Sequence, residues 1–331
     1  MTMLTRENTE HRIDYSIIDF PDDARDRDSV LAATSAWLDS AEMTELLGNF
    51  GHKLTAHDLG SRLTEAETLT RDIFDFRRGG ERWEARQADF PAHVTETTDA
   101  LVKRLYREPT GNPATDFGSY DHALVLGGRI NSCLLRGELL AELVSIGLDV
   151  SNIWGLGSRR EITPGEHELA TDLGAGWAQD ELDVMAVALS ATFDSPQMMA
   201  APRTPGPSEV RTLRTDPIPV IGLAAAPAPG SPRATTSDTY RHFVNVAHTT
   251  PGSRILVVTS AIHGPFQHAQ ALAMLGATAE VSVTTVGAHI GTSSRSTVRT
   301  TWTTAEWLQE IRSTIWSMRM MYDALHSSSA S

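Results

Sequence analysis

Apolar residues recur every three to four positions between residues 28 and 106, where unbroken apolar runs are scarce. This spacing is typical of amphipathic helices. One such helix is predicted to begin near Ser61 and to end at Gly79-Gly80. Residues 107–118 are rich in Pro, Gly and Asn and indicate a linker. The pattern therefore predicts an N-terminal helical subdomain over residues 1–118.

After residue 118, short apolar runs alternate with segments of helical periodicity. Strands are predicted at residues 121–126, 150–156, 254–259 and 281–286. Helices are predicted at residues 135–146, 181–193, 239–247, 266–275 and 304–325. Such alternation implies right-handed crossovers between parallel strands. The predicted fold is α/β, a Rossmann-like, mainly parallel sheet with helices on both faces over residues 119–331.

Two stretches interrupt this alternation. Residues 200–207 and 223–232 are rich in Ala, Pro and Gly, which predicts surface loops. Either stretch could be a lid over a site or simply a mobile loop, and the sequence leaves both interpretations open.

The composition of the chain indicates a packed globular protein and disfavours nucleic acid and membranes as partners. The chain has 331 residues, of which 40% are hydrophobic and 21% charged, as in packed globular proteins. Its net charge of -14 repels phosphate backbones and anionic lipids, so neither nucleic acid nor a membrane is an expected partner. A single cysteine, Cys133, allows no intrachain disulfide. Because no signal peptide or long apolar run is recognisable, we expect a soluble, cytoplasmic protein.

Polar residues and glycines follow three of the predicted strands. Ligands bind at the carboxyl ends of parallel strands, where helix amino termini converge. Glycine allows close approach to backbone amides, and arginine matches carboxylate or phosphate. We therefore expect the three turns to meet in one ligand site. The candidates are Gly127, Gly128 and Arg129 after the first strand, Gly157, Ser158, Arg159 and Arg160 after the second, and Ser260 and His263 after the third.

Among these candidates His263 is the predicted acid or base, because histidine titrates near neutral pH. A histidine that only hydrogen-bonds a loop carbonyl is the alternative. Ser260 could be a nucleophile beside it, although the segment lacks the G-x-S-x-G pattern of hydrolases. His167-Glu168 lacks the second histidine of a zinc helix. The acidic group at residues 161–172 favours a solvated loop over a cation site, so no metal is expected.

Three segments in order resemble the YdcF/SanA/ElyC-like family of Rossmann-like proteins. They are DHALVLGGR at residues 121–129, TSDT at residues 236–239 and ILVVTSAIH at residues 255–263, within a similarity over about residues 119–325. The resemblance implies a ligand pocket formed by the Gly-rich turn of the first segment, the second segment and the turn of the third, and it implies S-adenosylmethionine as a cofactor of some members. The residues it adds to the site are Thr236, Ser237, Thr239 and Thr259. It also implies an acidic residue after the second strand, for which Glu181, Glu166 and Glu168 are alternatives.

Two functions of different classes remain open. The first is a small-molecule enzyme, for example of specialised biosynthesis, that binds an adenosyl-, phosphate- or carboxylate-bearing ligand and uses His263 as acid or base. The second is a noncatalytic nucleotide- or S-adenosylmethionine-binding regulatory protein. Tryptophans and methionines near the final helix favour core packing, and a homodimer contact is the alternative.

Overall fold

Eight strands form one sheet within the part of the chain that the computed structural model describes, which comprises residues 13–76, 88–193, 206–231, 233–291 and 301–327. The strands are β1 (Tyr15–Ile18), β2 (Tyr106–Arg107), β3 (Tyr120–Leu126), β4 (Val150–Gly157), β5 (Glu209–Arg214), β6 (Val220–Ala224), β7 (Arg254–Ser260) and β8 (Ser282–Ala288). The four predicted strands are therefore present as β3, β4, β7 and β8.

Helices occupy most of the remaining described chain. They are α1 (Arg27–Leu38), α2 (Ala41–Asn49), α3 (Leu59–Ile73), α4 (Ala92–Lys103), α5 (Pro113–Asp116), α6 (Ile130–Ser145), α7 (Pro164–Asp172), α8 (Glu181–Thr192), α9 (Thr236–Ala247), α10 (Gly264–Ala271), α11 (Ala277–Ala279) and α12 (Thr304–Ser327). A π-helical turn, Leu272–Gly276, joins α10 to α11. None of the helices described is long and apolar enough to cross a membrane.

The strand order is β2-β1-β8-β7-β3-β4-β6-β5. The five central strands from β8 to β6 are parallel, whereas β1, β2 and β5 pair antiparallel at the two edges. This arrangement confirms the predicted α/β class with a mainly parallel sheet. Its carboxyl edge places the ends of β7, β3 and β4 side by side, as the predicted site requires.

Side chains of the central strands alternate between two hydrophobic layers. In β3, Leu124 and Leu126 enter the layer that contains α1–α4, α9, α10 and α12. Ala123 and Val125 enter the opposite layer with α6 and α8. Because each face is covered by helices, these strands are apolar at nearly every position. The helical N-terminal segment thus shares a core with α12, and a division into domains at residue 118 stays a prediction.

The first correction concerns the end of α3. The helix ends at Ile73 and not at Gly79-Gly80, and residues 79–80 lie outside the described chain. The Phe74 amide donates to the Thr70 carbonyl, and the Phe74 side chain is fully buried. Its ring packs edge-on against Phe50. Tertiary packing of an aromatic residue therefore ends the helix before the glycine signal.

The second correction concerns the stretch at residues 223–232. Leu223 and Ala224 are not loop residues: they lie in β6 and are fully buried beside β4. The pattern missed β6 because the strand is only five residues long and contains Gly222. Most of the other predicted loop, residues 200–205, lies outside the described chain.

Candidate functional site

A cavity of about 690 Å³ lies at the carboxyl ends of β3 and β4 and reaches the turn after β7. It brings together ten of the predicted residues: Gly127, Gly128, Arg129, Gly157, Ser158, Arg160, Glu181, Thr236, Thr239 and His263. Four others do not line it: Arg159, Ser237, Thr259 and Ser260. The three turns thus border one space. The roles given to the individual residues stay predictions.

The glycines at the first two turns make room for the protein itself. A methyl group at Gly127 would overlap the carbonyl oxygen of Leu156 and would lie 2.9 Å from Oε1 of Glu181. At Gly157 it would lie 2.9 Å from Cα of Leu182, in the first turn of α8. The missing side chains allow β3, β4 and α8 to meet closely at the cavity wall. This packing role differs from the predicted ligand approach.

Arg136 connects the first and third turns, and the sequence interpretation did not include it. Its side chain is almost completely buried. Nη1 donates to the carbonyl oxygens of Leu126 at 2.6 Å and Gly127 at 2.5 Å, and Nε donates to Oγ of Ser260 at 3.2 Å. A charged residue among the buried positions of α6 is the signal that could have identified it.

Glu181 is the carboxylate at the centre of this wall. The hydroxyl of Ser158 donates to its Oε2. Burial raises the pKa of Glu181, and the hydrogen bond from Ser158 and the positive charges of Arg160, Arg233 and Arg136 offset only part of that effect. A carboxyl group that keeps its proton to higher pH can serve as an acid or base.

Arg160, not its neighbour Arg159, lines the cavity. Arg160 forms a two-pronged ion pair with Glu166, at 3.1 Å and 3.0 Å, and Arg129 lies 4.0 Å from the same carboxylate. Burial acts to raise the pKa of Glu166, but the hydrogen bonds from Arg160 and Thr163 outweigh it and lower the pKa. The acidic segment predicted as a solvated loop is in fact α7, with Glu166 buried.

Arg159 faces away from the cavity into a separate ionic network. It contacts Asp180 at 2.9 Å and Glu209 at 2.5 Å. Arg211 extends the network from Glu209 to Asp183, at 2.9 Å and 3.1 Å. The structure therefore places this predicted ligand residue at the junction of β5 and α8, where it joins elements of the fold.

At the third turn His263 lines the cavity, and the two residues at the end of β7 do not. Thr259 and Ser260 are buried beneath the cavity wall, and the Thr259 hydroxyl donates to Gln267. Nδ1 of His263 lies 3.6 Å from Oε2 of Glu310 on α12. The His263 side chain is 16% exposed, so it is sheltered yet open to the cavity. Histidine beside a buried carboxylate is an arrangement that supports proton transfer.

The amino terminus of α9 forms another part of the wall. Thr235 caps the helix by accepting from the Asp238 amide at 3.3 Å, while the Asp238 carboxylate accepts from the Thr235 amide at 2.8 Å. This capping box accounts for the Ser/Thr-rich segment. Thr235, Thr236 and Thr239 line the cavity, and Ser237 does not. No group of His, Cys, Asp and Glu in the described ranges has a geometry that could hold a metal ion.

Comparisons with known proteins place similarity along most of the chain. The family described as the Rv3785 N-terminal domain matches residues 21–106. The chain is 29% identical over 333 residues to uncharacterized protein Rv3785 of Mycobacterium tuberculosis (strain ATCC 25618 / H37Rv), covering 90% of this chain and 91% of that protein. Uncharacterized protein Mb3814 of Mycobacterium bovis matches to the same extent. No solved structure matches this chain.

These matches overturn the resemblance to the YdcF/SanA/ElyC-like family, because the similar proteins belong to the Rv3785 group. The segments that suggested it are two buried strands with their turns and the first turn of a helix. Buried parallel strands are apolar in many unrelated proteins. Small residues are likewise common where such a strand leads into the amino terminus of a helix. Such short segments therefore reflect the shared physics of the fold and do not identify a family.

Proposed function

We propose that the cavity binds a small molecule bearing a phosphate or carboxylate group, and that the protein is an enzyme that acts on it with His263 as acid or base. The observation that carries the proposal is one cavity that is lined both by arginines from several elements and by a sheltered histidine–carboxylate pair. Arg129, Arg136, Arg160 and Arg233 line this cavity within the described chain.

Binding of an anion is supported by two arginines of the cavity wall whose side chains reach solvent. Arg129 and Arg233 are the accessible arginines of this wall: the Arg129 side chain is 42% exposed, and Arg233 is exposed. Arg136 and Arg160 lie deeper and fix the turns to their neighbours. The helix dipoles of α6, α8 and α9 add partial positive charge, because their amino termini border the same cavity.

Catalysis is supported by two titratable groups on different sides of the cavity. His263 lies against Glu310, whose carboxylate favours an orientation with Nε2 away from α12. Glu181, with its raised pKa, is the first residue of α8 and accepts from Ser158 in the turn after β4. Titratable groups held in different environments can divide the roles of acid and base between them.

Noncatalytic binding is the second candidate function, and one observation favours it. Ser260, the predicted nucleophile, is buried and does not line the cavity. S-adenosylmethionine is retained only as a comparison ligand, because the resemblance that implied it is wrong. Cytoplasmic location, a homodimer and the exclusion of nucleic acid and membrane partners all stay predictions.

The anion site is tested by thermal unfolding with inorganic phosphate, citrate and S-adenosylmethionine. We expect phosphate or citrate to raise the midpoint, because a ligand at 100 times its Kd stabilises the folded state by about 2.7 kcal/mol. The double variant Arg129→Ala/Arg233→Ala should lose most of the shift. Arg71→Ala removes an exposed arginine from α3, outside the cavity, and should keep it. Equal shifts in all three proteins, or none in the wild type, would contradict the proposal.

The catalytic part is tested with His263→Gln. A ligand that shifts the wild type is incubated with both proteins and followed by NMR and mass spectrometry. We expect the variant to bind the ligand within about threefold of the wild type, and the wild type alone to convert it. An unchanged ligand with the wild type would favour the noncatalytic candidate.

A further inference from the structure

We infer that the ligand carries an aromatic ring as well as its anionic group, and that the ring lies against Trp316 on the cavity-lining face of α12. The inference rests on the proposed anion site and names the class of molecule that the site takes, a ring-bearing anion.

One face of α12 forms part of the cavity wall. Its cavity-lining residues recur at spacings of three and four, which is the repeat of a single helix face. They are Glu306, Gln309, Glu310, Ser313 and Trp316, with Trp302 just before the helix. A tryptophan therefore lies at each end of this wall.

Trp316 is the first sign of a ring site. Its side chain is 37% exposed, and among the described residues only Ile146 and Val210 are also exposed large hydrophobic side chains. Neither of these lines the cavity. An indole left in water beside a cavity offers a flat apolar surface that a ring can cover.

The second sign is the aromatic surrounding of His263. Its ring centroid lies 6.1 Å from that of Trp302 at an interplanar angle of 47°, and 5.8 Å from that of Phe266 at 69°. Ile262 and Ile290 add apolar wall at the same end. The cavity thus has an aromatic end and an arginine end.

The separation of the two ends sets the length of the ligand. His263 follows β7, Arg129 follows β3 and Arg160 follows β4, and these strands are consecutive in the sheet. Neighbouring strands lie about 4.8 Å apart, so Arg129 and His263 follow strand ends that are roughly 5 Å apart, and Arg160 follows a strand end roughly 10 Å from that of His263. A molecule that contacts both ends must be longer than phosphate or acetate.

Charge decides which group occupies which end. Glu310 lies against His263, and Glu306 lines the same side of the cavity, where its carboxylate accepts from the Thr303 amide at 2.9 Å. A second anion there would face two carboxylates, whereas an uncharged ring would not. The anionic group therefore belongs at the Arg129–Arg233 end and the ring at the α12 end.

The test compares matched ligands by calorimetric titration. The pairs are AMP with ribose 5-phosphate, and 3-phenylpropionate with butyrate, so that each pair shares its anion and differs in the ring. We expect at least one ring-bearing member to bind about tenfold or more tightly than its partner, as base–aromatic stacking predicts. The inference is overturned if the ring improves the affinity in neither pair.

Two variants locate the ring. Trp316→Ala should lower the affinity ratio between the ring-bearing ligand and its partner by at least about fivefold. It should leave the affinity for ribose 5-phosphate or butyrate unchanged. Ile146→Ala truncates a similarly exposed apolar side chain outside the cavity. It should change neither the affinity ratio nor the affinity for the ring-free ligand. If Trp316→Ala instead changes the mass measured by light scattering and keeps the ring preference, Trp316 is a contact between copies and the inference fails.

The outcomes separate this inference from the proposed function. Tight binding of ribose 5-phosphate without any gain from the base would retain the anion site and reject the ring site. Binding of adenosine that depends on Trp316, without any effect of Arg129→Ala/Arg233→Ala on AMP, would retain the ring site and reject the anion site. Binding by none of these probes would reject both.

Discussion

Gly127 illustrates how much one residue at the cavity wall depends on its neighbours. The sequence marks it as a turn glycine after a buried strand, and that placement is correct. What the sequence does not show is that the Leu156 carbonyl and the Glu181 carboxylate occupy the space of a side chain. These neighbours lie some 30 to 55 positions further along the chain. Their approach follows from the pairing of β3 with β4 and the start of α8.

Substitution of this glycine tests the close packing. Gly127→Ala should lower the free energy of unfolding by about 1–3 kcal/mol, because the added methyl group meets backbone that cannot move freely. Gly165→Ala is the matched control: nothing lies within 4 Å of its added methyl group, and it lies in α7. There alanine should be neutral or stabilise the helix by up to about 1 kcal/mol. Urea unfolding measures both, and equal midpoints for Gly127→Ala and the wild type would contradict the packing.

At the scale of elements, α7 is a helix that the spacing of apolar residues does not predict. The helix has few buried apolar residues, so its acidic segment resembled a solvated loop. Its position is set by Glu166, which accepts from the Thr163 and Ile130 amides and pairs with Arg160. One carboxylate thus joins α7, the start of α6 and the turn after β4. Polar contacts of this kind carry no periodic signal in a sequence.

Removal of this carboxylate should loosen all three elements. Glu166→Ala leaves the charge of Arg160, whose side chain is 13% exposed, without its ion-pair partner. We expect a loss of about 3–5 kcal/mol in the free energy of unfolding. Glu168→Ala, an exposed acid on the same helix, should change it by less than about 0.5 kcal/mol. Chemical denaturation distinguishes the two, and similar small losses for both would show that Glu166 is not a joint between elements.

For the molecule as a whole, His268 links distant parts of the chain. Its Nε2 lies 3.1 Å from the carbonyl oxygen of Pro21, before α1, and its Nδ1 lies 3.0 Å from Oγ1 of Thr285 in β8. Burial lowers the pKa of His268 from its ordinary value of 6.5 to about 4. The folded protein therefore holds this histidine neutral at pH values where the unfolded chain protonates it.

This difference predicts acid sensitivity. The free energy of unfolding carries the full contribution of neutral His268 above pH 6.5. It loses this contribution as the pH falls towards 4, because in that range only the unfolded chain takes up the proton. The loss is on the order of 3 kcal/mol at pH 4. His268→Gln should be less stable at pH 7 but show a shallower decline between pH 6.5 and 4. His57→Gln, at an exposed position, should keep the wild-type slope. The same slope in His268→Gln would exclude this histidine as the cause.

The sequence by itself determined the alternation of apolar strands and amphipathic helices, and with it the α/β class and the positions of β3, β4, β7 and β8. It did so because burial of both faces of a parallel sheet imposes a pattern that short stretches of chain display locally. Turn chemistry likewise indicated that Gly127, Gly157 and His263 would border one space.

Only the tertiary structure decided which side chains enter that space. Arg160 lines the cavity and Arg159 does not, although the two are adjacent and chemically identical. Ser260 is buried, Arg136 reaches the first turn from α6, and Glu310 comes from α12 to meet His263. The orientation of each side chain depends on its partners, which folding brings together across as many as 124 residues of chain, and hydrophobic periodicity does not show which partners meet.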